Sequence, residues 1–157
     1  MPTRKHIILA NELVGIVETA SAKLRLLQET EVTLKPNPAK WSKKEILGHL
    51  MDSASNNHQR FIRAQMPGDV AEFVFPGYEQ DEWVRHQDYN SKPWIELVDL
   101  WRLYNRHVAH VMRFIPEEKL ETICRIGSGS PVSLGFIAED YLSHMKHHLA
   151  QLGVANV

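Results

Sequence analysis

Residues 93–116 read PWIELVDLWRLYNRHVAHVMRFIP. Trp94, Leu97, Val98, Trp101, Tyr104, Val108, Val111, Met112 and Ile115 recur three and four apart. Only an α-helix places residues at that spacing on one face. The helix begins near Ser91 or Pro93, and Pro116 closes it, because proline lacks the backbone N–H that a helix interior needs.

Three other segments carry the same period. From about His6 to Thr30, Leu9, Leu13, Ile16, Ala20, Leu24 and Leu27 form one stripe, and the Pro36 and Pro38 region between Thr33 and Lys40 breaks it. The next segment opens WSKKE, where Ser42 followed three residues later by Glu45 matches a capping box. Leu47, Leu50, Ala54 and Phe61 share its apolar face, and MPGD at 66–69 ends it. The last starts near Ser133, a candidate N-cap, and runs to Gly153 with Leu134, Ile137, Ala138, Tyr141, Met145, Leu149 and Leu152 on one side. Four amphipathic helices, each with one apolar face, predict an all-α fold, a four-helix bundle. Residues 66–90 form a connection too long and aromatic for a plain turn, of the kind often used as a lid or binding loop.

The chain has 157 residues, 43% of them hydrophobic and 24% charged, which fits one soluble domain over 1–157 able to bury a core without staples. No internal repeat or low-complexity tract interrupts it. Net charge is −1 with Lys and Arg dispersed, so no cationic face for nucleic acid is expected. Cys124 is the one cysteine, which excludes an internal disulfide and points to a reducing compartment. MPTRKHIILANEL at the start lacks the apolar core of a secretory leader, and no run reaches the roughly 18 apolar residues that span a bilayer. A cytoplasmic protein without membrane partners is expected.

Nine histidines remain to be explained, three of them within DYLSHMKHHLAQ at 140–151. Residues four apart on a helix point the same way, so His144 and His148 face together, beside the apolar stripe and into the bundle. Paired imidazoles at this spacing can hold one metal ion, and a pair of hydrogen-bonded core histidines has the same pattern. His147 faces solvent. A metal in a bundle takes ligands from facing helices, which makes the other histidines candidates. His110 lies opposite its helix's apolar stripe and His107 at the stripe's border. His86 falls in the long connection, His6 at a fraying start, and His58 away from its helix's polar strip. His49 lies beside the core stripe and heads a strip with Ser53, Asn56 and Arg60. Such a strip against an apolar seam suits a lined cavity, or simply a generous polar face.

Trp41-Ser42-Lys43-Lys44-Glu45-Ile46-Leu47-Gly48-His49-Leu50 with Asp52, and Asp140-Tyr141-Leu142-Ser143-His144 with His147-His148-Leu149-Ala150-Gln151, resemble the two signature segments of the DinB-like superfamily. That superfamily includes YfiT-like metal-dependent hydrolases and bacillithiol transferases. The resemblance covers nearly the whole chain and implies a DinB/YfiT-like four-helix bundle. It also implies a metal triad of one histidine on the second helix and two, four apart, on the last. By position these are His49, His144 and His148, the same three that the helical wheel selects. Members commonly form homodimers, a state the residues neither favour nor oppose.

Three neutral imidazoles leave a divalent ion its full charge and an open coordination position. Zinc held this way lowers the pKa of bound water to about 7 and would hold a thiol as thiolate. Zinc or nickel is expected first and iron next, because imidazole suits all three. The resemblance implies an enzyme that transfers a low-molecular-weight thiol to an electrophilic small-molecule substrate. Two alternatives are a hydrolase that uses metal-bound hydroxide and a non-catalytic metal- or ligand-binding stress protein. Hydrolysis ranks second, because the sequence ties no carboxylate to the role of general base. A fourth protein ligand, such as His107 or a carboxylate, would close the site and favour the binding role.

Asn56 and Arg60 read as solvated surface, with a contact to a carboxylate-bearing thiol as the alternative. Cys124 reads as inert, since nothing nearby lowers its pKa. GSGSP at 127–131 reads as a turn; it lacks the lysine of a phosphate loop. Tyr141 reads as core, with its hydroxyl in reach of the metal pocket as the alternative. Phe73, Phe75, Tyr78 and Trp83 read as packing, or as a wall of a pocket or a dimer contact.

Overall fold

The computed structural model describes residues 4–68 and 70–154. Asp69 of the predicted MPGD turn lies outside the described residues, as do residues 1–3 and 155–157. Four long helices carry the fold: α1 (Lys5–Leu24), α3 (Lys43–Arg63), α5 (Trp94–Arg113) and α6 (Leu134–Gln151). Two short ones, α2 (Glu29–Thr33) and α4 (Gln80–Gln87), lie in the connections. The molecule is a four-helix bundle, as the apolar periodicity predicts.

Around the bundle each long helix has two neighbours: α1 packs on α5, α5 on α3, α3 on α6 and α6 on α1. The consecutive helices α1 and α3 therefore sit across the diagonal, as do α5 and α6. Both diagonal links need long connections, which is where the short helices and a small sheet are found. Buried side chains from all four stripes meet in one core that includes Leu13, Leu47, Phe61, Trp101, Met112 and Met145.

Two caps appear as the sequence foretells. Ser42 Oγ accepts from Glu45 N at 3.1 Å while Glu45 Oε1 accepts from Ser42 N at 3.0 Å, a complete capping box. Ser133 Oγ accepts from Phe136 N at 3.1 Å and starts α6. Each satisfies backbone donors that a helix start leaves unpaired.

The first helix stops at Leu24, short of the expected Thr30. Tertiary contacts decide the break. Trp94 Nε1 donates to the Leu24 carbonyl at 2.8 Å, and Glu29 Oε2 accepts from Trp94 N at 3.0 Å. Glu29 also pairs with Lys44, whose side chain is almost fully buried. A straight helix through residue 30 would forfeit these bonds. His6, expected at a fraying end, is instead buried in α1.

The sheet is the other departure. β1 (Phe73–Phe75) pairs parallel with β2 (Ile123–Ile126), which pairs antiparallel with β3 (Val132–Ser133). Strands of two to four residues leave no legible period. Gly127, at φ +57°, turns the chain after β2, and its N–H donates to Phe75 O at 2.8 Å. Cys124 lies in β2, fully buried, and burial pushes its thiol pKa up, consistent with an inert residue. No described helix is long and apolar enough to cross a membrane.

Candidate metal centre

The capping box begins α3 at Lys43, so His49 falls in its second turn on the inward side. His144 and His148 lie in the second half of α6. The two helices run antiparallel, since Arg60 near the end of α3 shares a cavity with Ile137 and Asp140, earlier in α6. The start of α3 thus meets the end of α6, and the three imidazoles converge there.

His144 Nε2 is 3.1 Å from His49 Nε2 and 3.1 Å from His148 Nε2. The three rings offer ligand atoms that all lie within 4.8 Å of one another. Three ring nitrogens this close, each with a lone pair to place, fit a shared cation better than mutual hydrogen bonds. A tetrahedral ion with bonds of about 2.0–2.1 Å holds its nitrogens about 3.3–3.4 Å apart, close to the separations seen. The donor set suits the role, because the rings stay neutral. Burial first, and then the charge of the other two rings, lowers the His49 pKa to about 3. The same two causes, burial and then His148, take His144 to about 4, and burial lowers His148.

His148 Nδ1 lies 2.8 Å from Gln151 Oε1, so Nδ1–H donates to the amide oxygen and the Nε2 lone pair faces the cluster. Gln151 belongs to the H-x-x-x-H-L-x-Q segment, yet its orienting role was not read from sequence. The signal was the i, i+3 spacing from His148. Trp41 covers His49, with ring centroids 4.9 Å apart.

No carboxylate joins the cluster among the described residues. His107, weighed above as a closing ligand, faces His58 with centroids 5.2 Å apart, and His58 Nδ1 meets Tyr104 Oη at 2.8 Å. His86, His110 and His147 are exposed. Asp52, in the turn after His49, points elsewhere. Its Oδ1 accepts from Tyr89 Oη at 2.6 Å and from Gln87 Nε2 at 3.0 Å, and burial raises its pKa. Gly48 lets the Tyr89 ring lie on the helix, since a Cβ there would come within 2.0 Å of that ring. Tyr141 is core: its hydroxyl donates to Asn105 Oδ1, and the residue also lines the cavity beside His144.

A cavity of about 300 Å³ opens beside His144. Along α3 it is lined by Ser53, Asn57 and Arg60, spaced four and three apart and all buried, rather than by Asn56. Asn56 turns its amide back to Asp52 O at 2.9 Å. Arg60, expected in solvent, is only 8% exposed. Tyr78 and Gln80, and Asp140 one turn before His144, add to the polar lining. Ile126, Val132 and Phe136 supply an apolar side, so the unforeseen sheet walls the cavity. Of the aromatic run, Phe75 is buried, and Tyr78 packs on Trp83 with centroids 5.1 Å apart.

No curated protein matches the sequence. Among solved structures, the fold is similar to that of YfiT from Bacillus subtilis, described as a probable metal-dependent hydrolase with an unusual four-helix bundle topology. The match has a TM-score of 0.72 at 16% identity and covers 90% of this chain and 82% of that one. An identity that low speaks for shared architecture alone. The sequence itself matches the DinB superfamily model over residues 17–152, a span that contains all three converging histidines, and the chain belongs to that superfamily.

Proposed function

We propose that this protein is a metal-dependent enzyme acting on a small molecule, with His49, His144 and His148 holding one divalent ion. The observation that carries the reading is the three-imidazole cluster, without a fourth protein ligand among the described residues, whose His144 lines a cavity of about 300 Å³. Zinc, nickel or iron would be accepted by such donors. When bound, the ion supplies Lewis acidity, which lowers the pKa of water or a thiol and polarises a carbonyl.

Hydrolysis is the reaction that the cavity favours. The sequence names no base, but Asp140 lines the same cavity one turn from His144, and its charge raises the His144 pKa against the larger lowering effects. Asp140 takes the proton from the attacking water and returns it to the leaving group. Ile126, Val132 and Phe136 give the cavity an apolar side, and the neutral Tyr78 hydroxyl orients polar substrate atoms.

Thiol transfer is the second reading. Its specific support is the uncharged donor set, which leaves the ion's full charge to stabilise a thiolate. One experiment separates the readings. Untagged, zinc-loaded protein is assayed against aryl esters and acyl amides, with and without a low-molecular-weight thiol. Hydrolysis predicts thiol-independent turnover that falls about 100-fold or more in Asp140→Asn. Turnover that needs the thiol and ignores Asp140→Asn favours transfer. Metal binding without turnover under either condition favours the non-catalytic role.

A further inference from the structure

Arg60 is the one buried arginine that forms no ion pair, although the charge of Asp140 in the same cavity acts on it from a distance. Arg25, Arg85, Arg102, Arg106 and Arg125 all form ion pairs with acidic side chains. Arg60 is 8% exposed, and its hydrogen bond is a long one, from Nη1 to Asn57 Oδ1 at 3.3 Å. Of its five N–H donors, most are left for whatever enters the cavity. Burying a cation without a counter-charge is unfavourable unless a partner of opposite sign arrives.

The surroundings fit such a partner. Tyr78 lines the same cavity close enough for its electrostatics to act on Arg60, and burial raises its pKa, so its hydroxyl stays a neutral donor. Ser53 and Asn57 add polar atoms on the same face of α3. Asp140 is the cavity's one acidic side chain. It is exposed, stands one turn from His144 and acts on Arg60 through its charge without forming an ion pair with it, which leaves the guanidinium's donors open. The cavity therefore has a cationic end and a metal end. His49 and Arg60 are eleven residues apart on one helix, about 16 Å between Cα atoms, and the arginine side chain shortens the remaining gap. Ile126, Val132, Phe136 and Ile137 offer an apolar wall between the ends.

We propose that the substrate is a two-ended small anion: a reactive group that meets the metal centre, a short apolar spacer, and a terminal carboxylate or phosphate gripped by Arg60 with help from Tyr78. This rests on the reading of the cavity as the substrate site of the metal centre. A guanidinium holds either oxyanion in a bidentate fork, so the shared chemistry is the planar or tetrahedral anion, and the test distinguishes the two.

The probes are alkyl hydroxamates, whose head binds metal, with spacers of two to five methylenes ending in a carboxylate, a phosphonate or a methyl ester. Affinities are measured by calorimetry on zinc-loaded wild type, Arg60→Met and Asn57→Asp. Arg60→Met keeps the apolar stem; Asn57→Asp satisfies the arginine internally and so guards against a variant that fails to fold. Glutarate binding to metal-free protein is measured in parallel. The expected result is a preference of tenfold or more for an anionic tail over the methyl ester at one spacer length in wild type. Both variants should lose the preference and keep the methyl-ester affinity. The larger of the carboxylate and phosphonate preferences names the anion. An equal affinity for charged and neutral tails at every length, or a preference that survives in Arg60→Met, overturns the proposal. If no hydroxamate binds but glutarate binds metal-free protein in an Arg60-dependent way, the anion site stands and the metal reading falls.

Discussion

His49 and His144 stand 95 positions apart in the chain, yet their Nε2 atoms are 3.1 Å from each other. The contact joins the second turn of α3 to the far half of α6, so any metal held there ties the two helices together. Removing either ring should therefore abolish binding rather than trim it. In untagged protein, His49→Ala and His144→Ala are each expected to lower zinc affinity by more than the roughly 100-fold that losing an outer hydrogen-bond partner costs. Metal content by mass spectrometry, with circular dichroism as the fold check, measures this. Unchanged stoichiometry in either variant would refute the triad.

Gln151 provides a finer test. It orients His148 through the 2.8 Å contact to Nδ1. Gln151→Ala should weaken zinc binding by about 10–100-fold without changing the fold. Gln151→Glu keeps an acceptor and should restore most of the affinity. Competition with a zinc chelator reads both.

The metal-free protein should become less stable in mild acid. The folded-state pKa values of His49, His144 and His148 lie below the ordinary 6.5, at about 3 for His49 and about 4 for His144. The unfolded chain thus takes up protons first, and stability declines as pH falls from about 6.5 towards 4. Above 6.5 both states hold these rings neutral and stability is flat in this respect. Asp52 acts in the opposite sense, since its raised pKa favours the folded state in acid, and it tempers the loss at the low end. Thermal melting of chelator-treated protein from pH 8 to pH 4.5 checks the slope. It should be shallower in His144→Ala, with the part contributed by His58 remaining.

Gly48→Ala is expected to destabilise the protein by about 1–3 kcal/mol, the usual cost of overpacking. The added methyl would sit 2.0 Å from the Tyr89 ring, so that ring must shift and stretch its bond to Asp52. Because the change adjoins His49, metal affinity should fall with it. Urea denaturation and a metal titration on the same sample test both effects.

Ser42→Ala should cost about 1–2 kcal/mol. It removes the acceptor for Glu45 N and the donor to Asn90 Oδ1 at 2.7 Å, which links α3 to the turn before α5. A loss near a few tenths of a kcal/mol would mean that neither bond matters to stability.

Local rules alone reach a long way into this molecule. The stripe from Trp94 to Met112, the capping box at Ser42 and the N-cap at Ser133 act within a turn or two, so they are legible residue by residue. His144 and His148 are legible for the same reason: four residues on a helix is a fixed angle. What depended on distant partners was not legible. Leu24 ends α1 because Trp94 claims its carbonyl. The strands at 73–75 and 123–126 are too short for a period and exist because they pair. Arg60 reads as a surface residue on its own helix, and only the arrival of α6 and the sheet makes it the buried end of a cavity. The sequence by itself determined which helices form and which faces they bury, since propensity, capping and periodicity are local. What walls the space beside the imidazoles and which charges lose their water were decided only by the tertiary structure, because burial and proximity are properties of the packed chain.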